Sequence, residues 1–320
     1  AYCSVYHVAE LIASIRPTVF LSVPRVLEKV HAAVMGRAAA ASPLRRALFN
    51  WALATGREVA LRHLDGRPVG RALAAKHRLA DRLVLAKVRG ALGGRMRMVG
   101  CGGAAVPLFV HEFFYAVGIP LLEAWGLTET SPVITLNHSE PGGTRLGSVG
   151  QPLPSYEFRV ADDGELLARG PCVFRGYWNK PEQTAEVLLD DGWYRSGDIG
   201  YVDEEGYLFL VDRAKDMIVS GGENVYCTEV EDAIYTHPAV LEATVFGIPS
   251  EQWGEAVHAV VVLREGGVAI EADIIDHCRT RIAGYKVPRS VEFSAEPLPK
   301  SGPGKVLKRE LRAPFWADHD

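Results

Sequence analysis

Between Arg95 and Thr130 the chain changes local character in an order that few folds can absorb. An apolar run, Arg95–Gly100, leads into the small-residue turn Gly102-Gly103-Ala104-Ala105 and Pro107. A helical pattern over Leu108–Val117 follows, and a second apolar run, Pro120–Ala124, ends in Trp125-Gly126. Strand, glycine turn, helix, strand is the grammar of an α/β fold, with small-residue loops at the strand ends.

The rest of the chain is organised around that unit. Thr18–Val23 predicts a short buried strand. The Ala-, Leu- and Arg-rich stretch from Pro24 to about Leu92 predicts a helical hairpin or small bundle, with segments Arg25–Ala41, Pro43–Leu64 and Val69–Leu92. Its basic residues, such as Arg45, Arg62, Arg71 and Arg82, suit a solvated helix face, because Arg is a good helix former; an anion- or membrane-facing surface is the alternative. From Gly147 to Asp212, short alternating runs (Tyr156–Val160, Glu165–Arg169, Tyr207–Val211) predict antiparallel β structure, broken by a helix near Pro181–Leu189. Beyond Asp212 the order is strand, helix (Thr228–Thr236), two strands (Glu242–Ile248, Ala256–Leu263), helix (Glu271–Ile282) and strand (Ser290–Phe293), a small α+β unit.

Composition removes several classes. With 35 Lys+Arg against 39 Asp+Glu the net charge is -4, so a nucleic-acid-coating protein is a poor fit and no nucleic-acid partner is expected. The five cysteines are far apart and form no CxxC pair, which argues against a zinc ribbon, a thioredoxin-type site or a disulfide framework and for a reduced, cytosolic setting. No apolar run reaches the roughly 20 residues of a membrane-spanning helix. The chain opens Ala1-Tyr2-Cys3-Ser4 without Met or a signal segment, which predicts a cut through a longer protein.

Five motifs could carry chemistry. Gly102–Ala105 would let backbone approach a planar ligand, although a plain tight turn explains it equally. Gly126-Leu127-Thr128-Glu129-Thr130 offers hydroxyls for phosphate and a carboxylate for Mg²⁺, or simply a capped helix start. Tyr194-Arg195-Ser196-Gly197-Asp198 offers an Asp for a ribose diol, or an Asx-type turn. Asp212-Arg213-Ala214-Lys215-Asp216, before Ser220-Gly221-Gly222-Glu223-Asn224, sits where the pattern changes and reads as a hinge or a polar linker. Pro299-Lys300-Ser301-Gly302-Pro303-Gly304-Lys305-Val306 is not a Walker A loop, because Val306 stands where Ser or Thr should bind Mg²⁺ and no βαβ unit begins there. It leaves a lysine on a Gly/Pro loop, suited to reaching an anion.

In this order and spacing, the five motifs resemble those of the AMP-forming adenylate synthetases, and look closest to the long-chain fatty-acid–CoA ligases. Acyl-CoA synthetases, luciferases and peptide-synthetase adenylation domains are wider relatives. The resemblance implies α/β plus α+β architecture. Residues 1–212 would be the rear part of the large N-terminal domain, with mixed sheets, helices, a small β subdomain, a helical insertion at about 25–92 and nucleotide motifs within 102–198. Residues 213–320 would be the hinge and a small mobile lid.

The resemblance also implies roles. Gly103, Ala104 and the Glu123-Ala124-Trp125-Gly126 strand-turn would sandwich the adenine. Thr128 would touch phosphate and Glu129 would hold Mg²⁺; Asp198, helped by Arg213, would take the ribose hydroxyls. Lys215 would be the hinge, Lys305 would reach into the site during adenylation, and Gly221 and Gly222 would lie near the pantetheine arm of CoA. The implied reaction makes acyl-AMP and diphosphate from ATP and a fatty acid, then the CoA thioester, in the cytoplasm, with peripheral membrane association compatible with the Arg-rich helices. An aryl-acid or peptide-synthetase-type adenylation domain, or a non-catalytic nucleotide- and CoA-binding piece, are the alternatives. Trp125 stands where Tyr is commonest, and Cys227 stands where Pro is usual, a change expected to touch only local stiffness. The family's Ser/Thr/Gly-rich phosphate loop would precede residue 1 in this order, and no such run occurs in the sequence.

Overall fold

The structure, a computed structural model, describes residues 8–140, 142–301 and 306–317. It divides into two compact units: Ala1–Arg159, Leu167–Arg195 and Val202–Phe209 form one, and Val160–Leu166, Ser196–Tyr201 and Leu210–Asp320 the other.

In the first unit, α1 (Val8–Ile15), β1 (Val19–Ser22), α2 (Pro24–Ala39) and α3 (Pro43–Leu64) come in order. Both α2 and α3 start on proline, whose missing N–H costs nothing in a first helical turn. The predicted helix over Val69–Leu92 is α4 (Arg71–Ala80) and α5 (Ala86–Ala91), joined by a π-helical turn at Asp81–Leu85. The wider turn shifts the helix face by a residue, and Arg89 then reaches both Asp81 Oδ1, at 2.7 Å, and the Val117 carbonyl, at 2.8 Å.

β2 (Met98–Cys101), α6 (Leu108–Ala116) and β3 (Leu121–Trp125) realise the strand–turn–helix–strand pattern. β1, β2 and β3 pair in parallel, and β4 (Thr135–Leu136) and β5 (Gln151–Pro152) extend the sheet antiparallel. Val110, Phe113, Phe114 and Val117 fall at i, i+3, i+4 and i+7 and are all buried against the sheet with Val99, Ile119 and Leu121. Each such side chain contributes ~1.5–3 kcal/mol by leaving water. Further on lie β6 (Glu157–Val160), β7 (Glu165–Arg169), α7 (Pro181–Val187), β8 (Tyr194–Val202) and β9 (Leu208–Arg213), with residues in both units. The Tyr194–Asp198 motif therefore lies inside a continuous strand, bent at Gly197, rather than in a turn between strands.

The second unit contains β10 (Ile218–Ser220), β11 (Glu223–Val225), α8 (Cys227–Tyr235), β12 (Val240–Ser250), β13 (Gly254–Leu263), α9 (Glu271–Arg279), β14 (Ser290–Phe293) and α10 (Lys308–Trp316). The sheet runs β11-β10-β13-β12, with β14 parallel to β13. Val257, Ala259 and Val261 of β13 pack with Val230 and Ile234 of α8 and Ile274 of α9. Val260 and Val262, on the opposite face, pack with Phe246 and Leu298, against which Leu311 and Phe315 of α10 lie. Burial on both faces explains why β13 reads as an unbroken apolar run rather than an alternation. Among the described residues no helix is long and apolar enough to cross a membrane.

Candidate functional site

In the first unit, candidate residues gather at the ends of two paired strands. Cys101 of β2 is in register with Glu123 of β3, so the Gly102–Ala105 turn and the Ala124–Gly126 turn leave adjacent strands at their carboxyl ends. That is where open α/β sheets bind ligands. Gly103, Ala104 and Ala105 are exposed, while the flanking Cys101 and Val106 are buried and anchor the turn. The Val106 N–H donates to Glu123 Oε1 at 2.9 Å, which ties the turn to β3. The Glu123 side chain is thus in the core, and its carbonyl accepts from the Asn137 backbone N–H at 3.1 Å. Trp125 is also buried, with its ring edge-on to Phe158 at 6.1 Å.

Gly126 lies so close to the following loop that a Cβ would stand 1.7 Å from the Pro132 carbonyl oxygen, so this position admits only glycine. The next residues, Thr128–Thr130, form a single 3₁₀ turn held from several sides. Tyr156 donates its hydroxyl to the Thr130 carbonyl, Ser131 Oγ donates to the Cys172 carbonyl at 2.9 Å, and Phe174 N–H donates to the Glu129 carbonyl at 2.7 Å. Thr128 is exposed and Glu129 is half-buried. Tyr177 donates its hydroxyl to Glu129 Oε1 at 2.8 Å, and burial together with that carboxylate raises the Tyr177 hydroxyl above its ordinary pKa. Among the described residues no cluster of three or more His, Cys, Asp and Glu forms a metal cage. A single carboxylate with a neighbouring hydroxyl, all oxygen, fits Mg²⁺, which binds through one or two carboxylates, waters and substrate phosphates.

The second unit brings Asp198 and Arg213 together. Arg213 Nε is 3.3 Å from Asp198 Oδ1, and the Asp198 side chain is only 13% exposed. Ser196 Oγ accepts the Asp198 N–H at 3.1 Å, and Glu165 Oε1 accepts the Gly197 N–H at 2.9 Å, so the bend before Asp198 is fixed by two side chains. Lys215 is exposed on a short 3₁₀ turn, Ala214–Asp216, that links β9 to β10. Gly221 and Gly222 make the two-residue turn of the β10–β11 hairpin, at φ +61 and +85, the turn type in which both central residues need positive φ. Lys305 lies outside the described residues; beside it, Lys300 and Val306 bridge and Leu307 N–H donates to the Pro299 carbonyl at 2.9 Å.

Sequence reasoning missed Tyr177, Glu165 and a buried charge cluster around Lys308. Lys308 of α10 stands 2.9 Å from Glu231 Oε1, with both side chains mostly buried. Burial lowers the Lys308 pKa, but Glu231, Cys227 and Asp212 around it raise it more, and burial raises that of Glu231. Asp212 accepts the Cys227 backbone N–H, and Cys227 Sγ donates to the Asp216 carbonyl at 2.9 Å. The Cys227 replacement therefore does more than alter stiffness, since a proline has neither donor. None of these pairs has a local sequence signal; each joins residues far apart in the chain.

A small-residue turn and a Thr-Glu turn thus follow paired strands in the first unit, and an acidic strand residue pairs with Arg213 in the second. The profile of the AMP-binding enzyme family matches residues 4–178, and that of the AMP-binding enzyme C-terminal domain matches 229–305. This chain belongs to the AMP-binding enzyme family. A feruloyl-CoA synthase from Amycolatopsis sp is 42% identical over 230 residues, 69% of this chain and 46% of that protein. A long-chain-fatty-acid–CoA ligase from Bacillus subtilis (strain 168) is 44% identical over 222 residues, 66% of this chain and 39% of that protein. The crystal structure of ATP-bound MatB from Rhodopseudomonas palustris superposes with a TM-score of 0.72 at 29% identity, over 99% of this chain and 54% of that one. The chain spans about half the length of the relatives it matches.

Proposed function

We propose that this chain serves an AMP-forming acid–thiol ligase that activates a long-chain fatty acid as acyl-AMP and passes it to CoA. The observation that carries the reading is the Cys101–Glu123 register, which sets the Gly103-Ala104 turn beside the Ala124–Gly126 turn; in this reading the two turns wall an adenine. In this reading Asp198 accepts the ribose hydroxyls while Arg213 orients its carboxylate. Thr128 donates to phosphate, and Glu129, its other oxygen held by Tyr177, presents one carboxylate oxygen to Mg²⁺. When bound, Mg²⁺ supplies positive charge against the phosphate oxygens.

Attack of a carboxylate on the α-phosphorus sets negative charge against negative charge. Lys305 would stabilise the charge that builds on the phosphoryl oxygens and the leaving diphosphate, an electrostatic and positioning task. The same lysine would obstruct CoA, so a swing about Lys215 separates the half-reactions and brings Gly221-Gly222 toward the pantetheine arm. The B. subtilis relative supports the fatty-acid substrate; the feruloyl-CoA synthase supports an aromatic acid as the second reading. Peripheral contact with an anionic membrane at the Arg-rich helices belongs to the first reading.

ATP–diphosphate exchange across a panel of acids tests the choice. Exchange that rises with palmitate supports the fatty-acid reading, and exchange that follows ferulate replaces it with the aryl one. AMP and CoA binding without any exchange leaves a non-catalytic binding module.

A further inference from the structure

The core beside the Gly102–Val106 turn holds a carboxyl and an imidazole that the nucleotide reading leaves unused. His111 on α6 is fully buried and Glu123 on β3 is 3% exposed. His111 Nε2 lies 2.7 Å from the Leu121 carbonyl, so this nitrogen carries a proton and donates it. Its Nδ1 is buried without a hydrogen-bond partner and faces Glu123 Oε2 at 3.8 Å. The other carboxyl oxygen takes the Val106 N–H that closes the turn.

An ionised Glu123 would sit in this core with one N–H donor and an imidazole lone pair aimed at it, an arrangement that costs more than it returns. Burial accordingly pushes Glu123 up to about 8 and lowers His111. The other groups nearby do not relieve the charge. Cys101 on β2 is pushed up to about 12 by burial and by Glu123, and Glu28 on α2 adds further negative charge. Tyr115 on α6 lies with its ring 5.7 Å from that of His111, and Arg57 of α3 is paired to Glu112 of α6 at 2.5 Å.

We propose that His111 is a positioning residue for the nucleotide turn: its Nδ1 accepts a hydrogen bond from the protonated Glu123 carboxyl, and the shared proton keeps Glu123 turned to accept from Val106. A small side-chain rotation closes the 3.8 Å gap to a hydrogen bond. Loss of the proton sets a carboxylate against the imidazole lone pair, so the tie between Glu123 and α6 is lost and the carboxylate, left with the Val106 N–H as its donor, is no longer fixed from the helix side. The consequence for ligand rests on the adenine reading above; the shared proton does not.

The test follows ¹⁵N-histidine and backbone amide NMR of the chain from pH 6 to 9.5, with AMP calorimetry on the same samples. His111 is expected to stay neutral with a protonated Nε2, its Nδ1 signal moving in one step near pH 8 that Glu123→Gln abolishes. The Val106 amide signal is expected to shift at that step, as its acceptor changes from carboxyl to carboxylate. AMP affinity is expected to fall roughly 5–30-fold across it, and His111→Leu to bind AMP weakly at every pH without a step. A His111 signal indifferent to Glu123→Gln overturns the shared proton. A Val106 amide that ignores the step overturns the positioning role, even where His111→Leu does not fold. Wild-type chain that binds no AMP while both NMR results hold removes the adenine reading alone.

Discussion

Tyr177 holds Glu129 by a 2.8 Å hydrogen bond to Oε1, across 48 positions of sequence. The carboxylate is thereby fixed through one oxygen and offered through the other. In Tyr177→Phe that orientation is lost while the ring contacts with Phe174 at 4.8 Å remain. A hydrogen bond to a charged group contributes about 1.5–3 kcal/mol, less where water competes. The Mg²⁺ concentration for half-maximal diphosphate exchange is therefore expected to rise ~3–10-fold, with the thermal midpoint little changed. An unchanged Mg²⁺ titration would remove the orienting role of Tyr177.

Gly126→Ala is expected to distort the Thr128–Thr130 turn, because a Cβ would meet the Pro132 carbonyl oxygen at 1.7 Å and that oxygen belongs to backbone. Overlap of this kind costs at least about 2 kcal/mol. Scanning calorimetry should show a midpoint lowered by ~5–10 °C, together with weaker ATP binding.

Lys308→Met leaves Glu231 buried without its cation. Breaking one partner of a buried pair costs about 3–5 kcal/mol. The pH sign follows from Glu231, whose folded pKa is raised by burial. Its stability contribution is complete below the unfolded carboxyl value of about 4.3 and is lost as pH rises through the folded one. The deficit of Lys308→Met is thus smallest near pH 4.5 and grows toward pH 8. Denaturant melts at the two pH values check this, and adding Glu231→Met should restore much of the loss. A pH-independent deficit would mean that packing of the lysine stem, rather than its charge, matters.

Much of this was legible in sequence and some was not, for physical reasons. The βαβ unit of 95–125 announced itself because period and glycine placement are local properties. The Val110, Phe113, Phe114, Val117 stripe is likewise written in the helix period. The π turn at Asp81–Leu85 was hidden, since the Arg89 contacts that go with it include a carbonyl 28 residues away. The bend before Asp198 looked like a turn because Ser-Gly-Asp is turn chemistry. It became strand because Glu165 takes the Gly197 N–H from the neighbouring segment. Glu123 shows the opposite case: the motif located the residue, but only the fold reveals that its side chain faces inward to Val106 and His111.

Asp198→Ala is expected to weaken ATP and AMP binding ~10-fold by removing a charged acceptor for the ribose diol. Arg213→Ala should produce a smaller loss, since Arg213 orients Asp198 at 3.3 Å. Equilibrium dialysis with labelled ATP measures both. Equal affinity in Asp198→Ala and wild type would sink the ribose assignment.

The half-reactions separate the role of Lys305 from every other. Acyl-AMP formation develops charge on the oxygens of the phosphoryl group under attack, whereas thiolate attack develops charge first on the anhydride carbonyl oxygen and passes it to AMP only as that leaves. A lysine aimed at the phosphoryl group therefore lowers chiefly the first barrier, and a positioned cation of this kind accounts for roughly 10²–10³ in rate. Lys305→Ala is expected to cut diphosphate release by that factor and to leave CoA-dependent consumption of preformed acyl-AMP within about threefold. Lys215→Pro should give the converse. It freezes the 3₁₀ link between β9 and β10, so adenylation survives while thioester formation fails. Loss of both half-reactions in Lys305→Ala would show that the lysine supports the fold or the acyl group rather than the phosphoryl transfer.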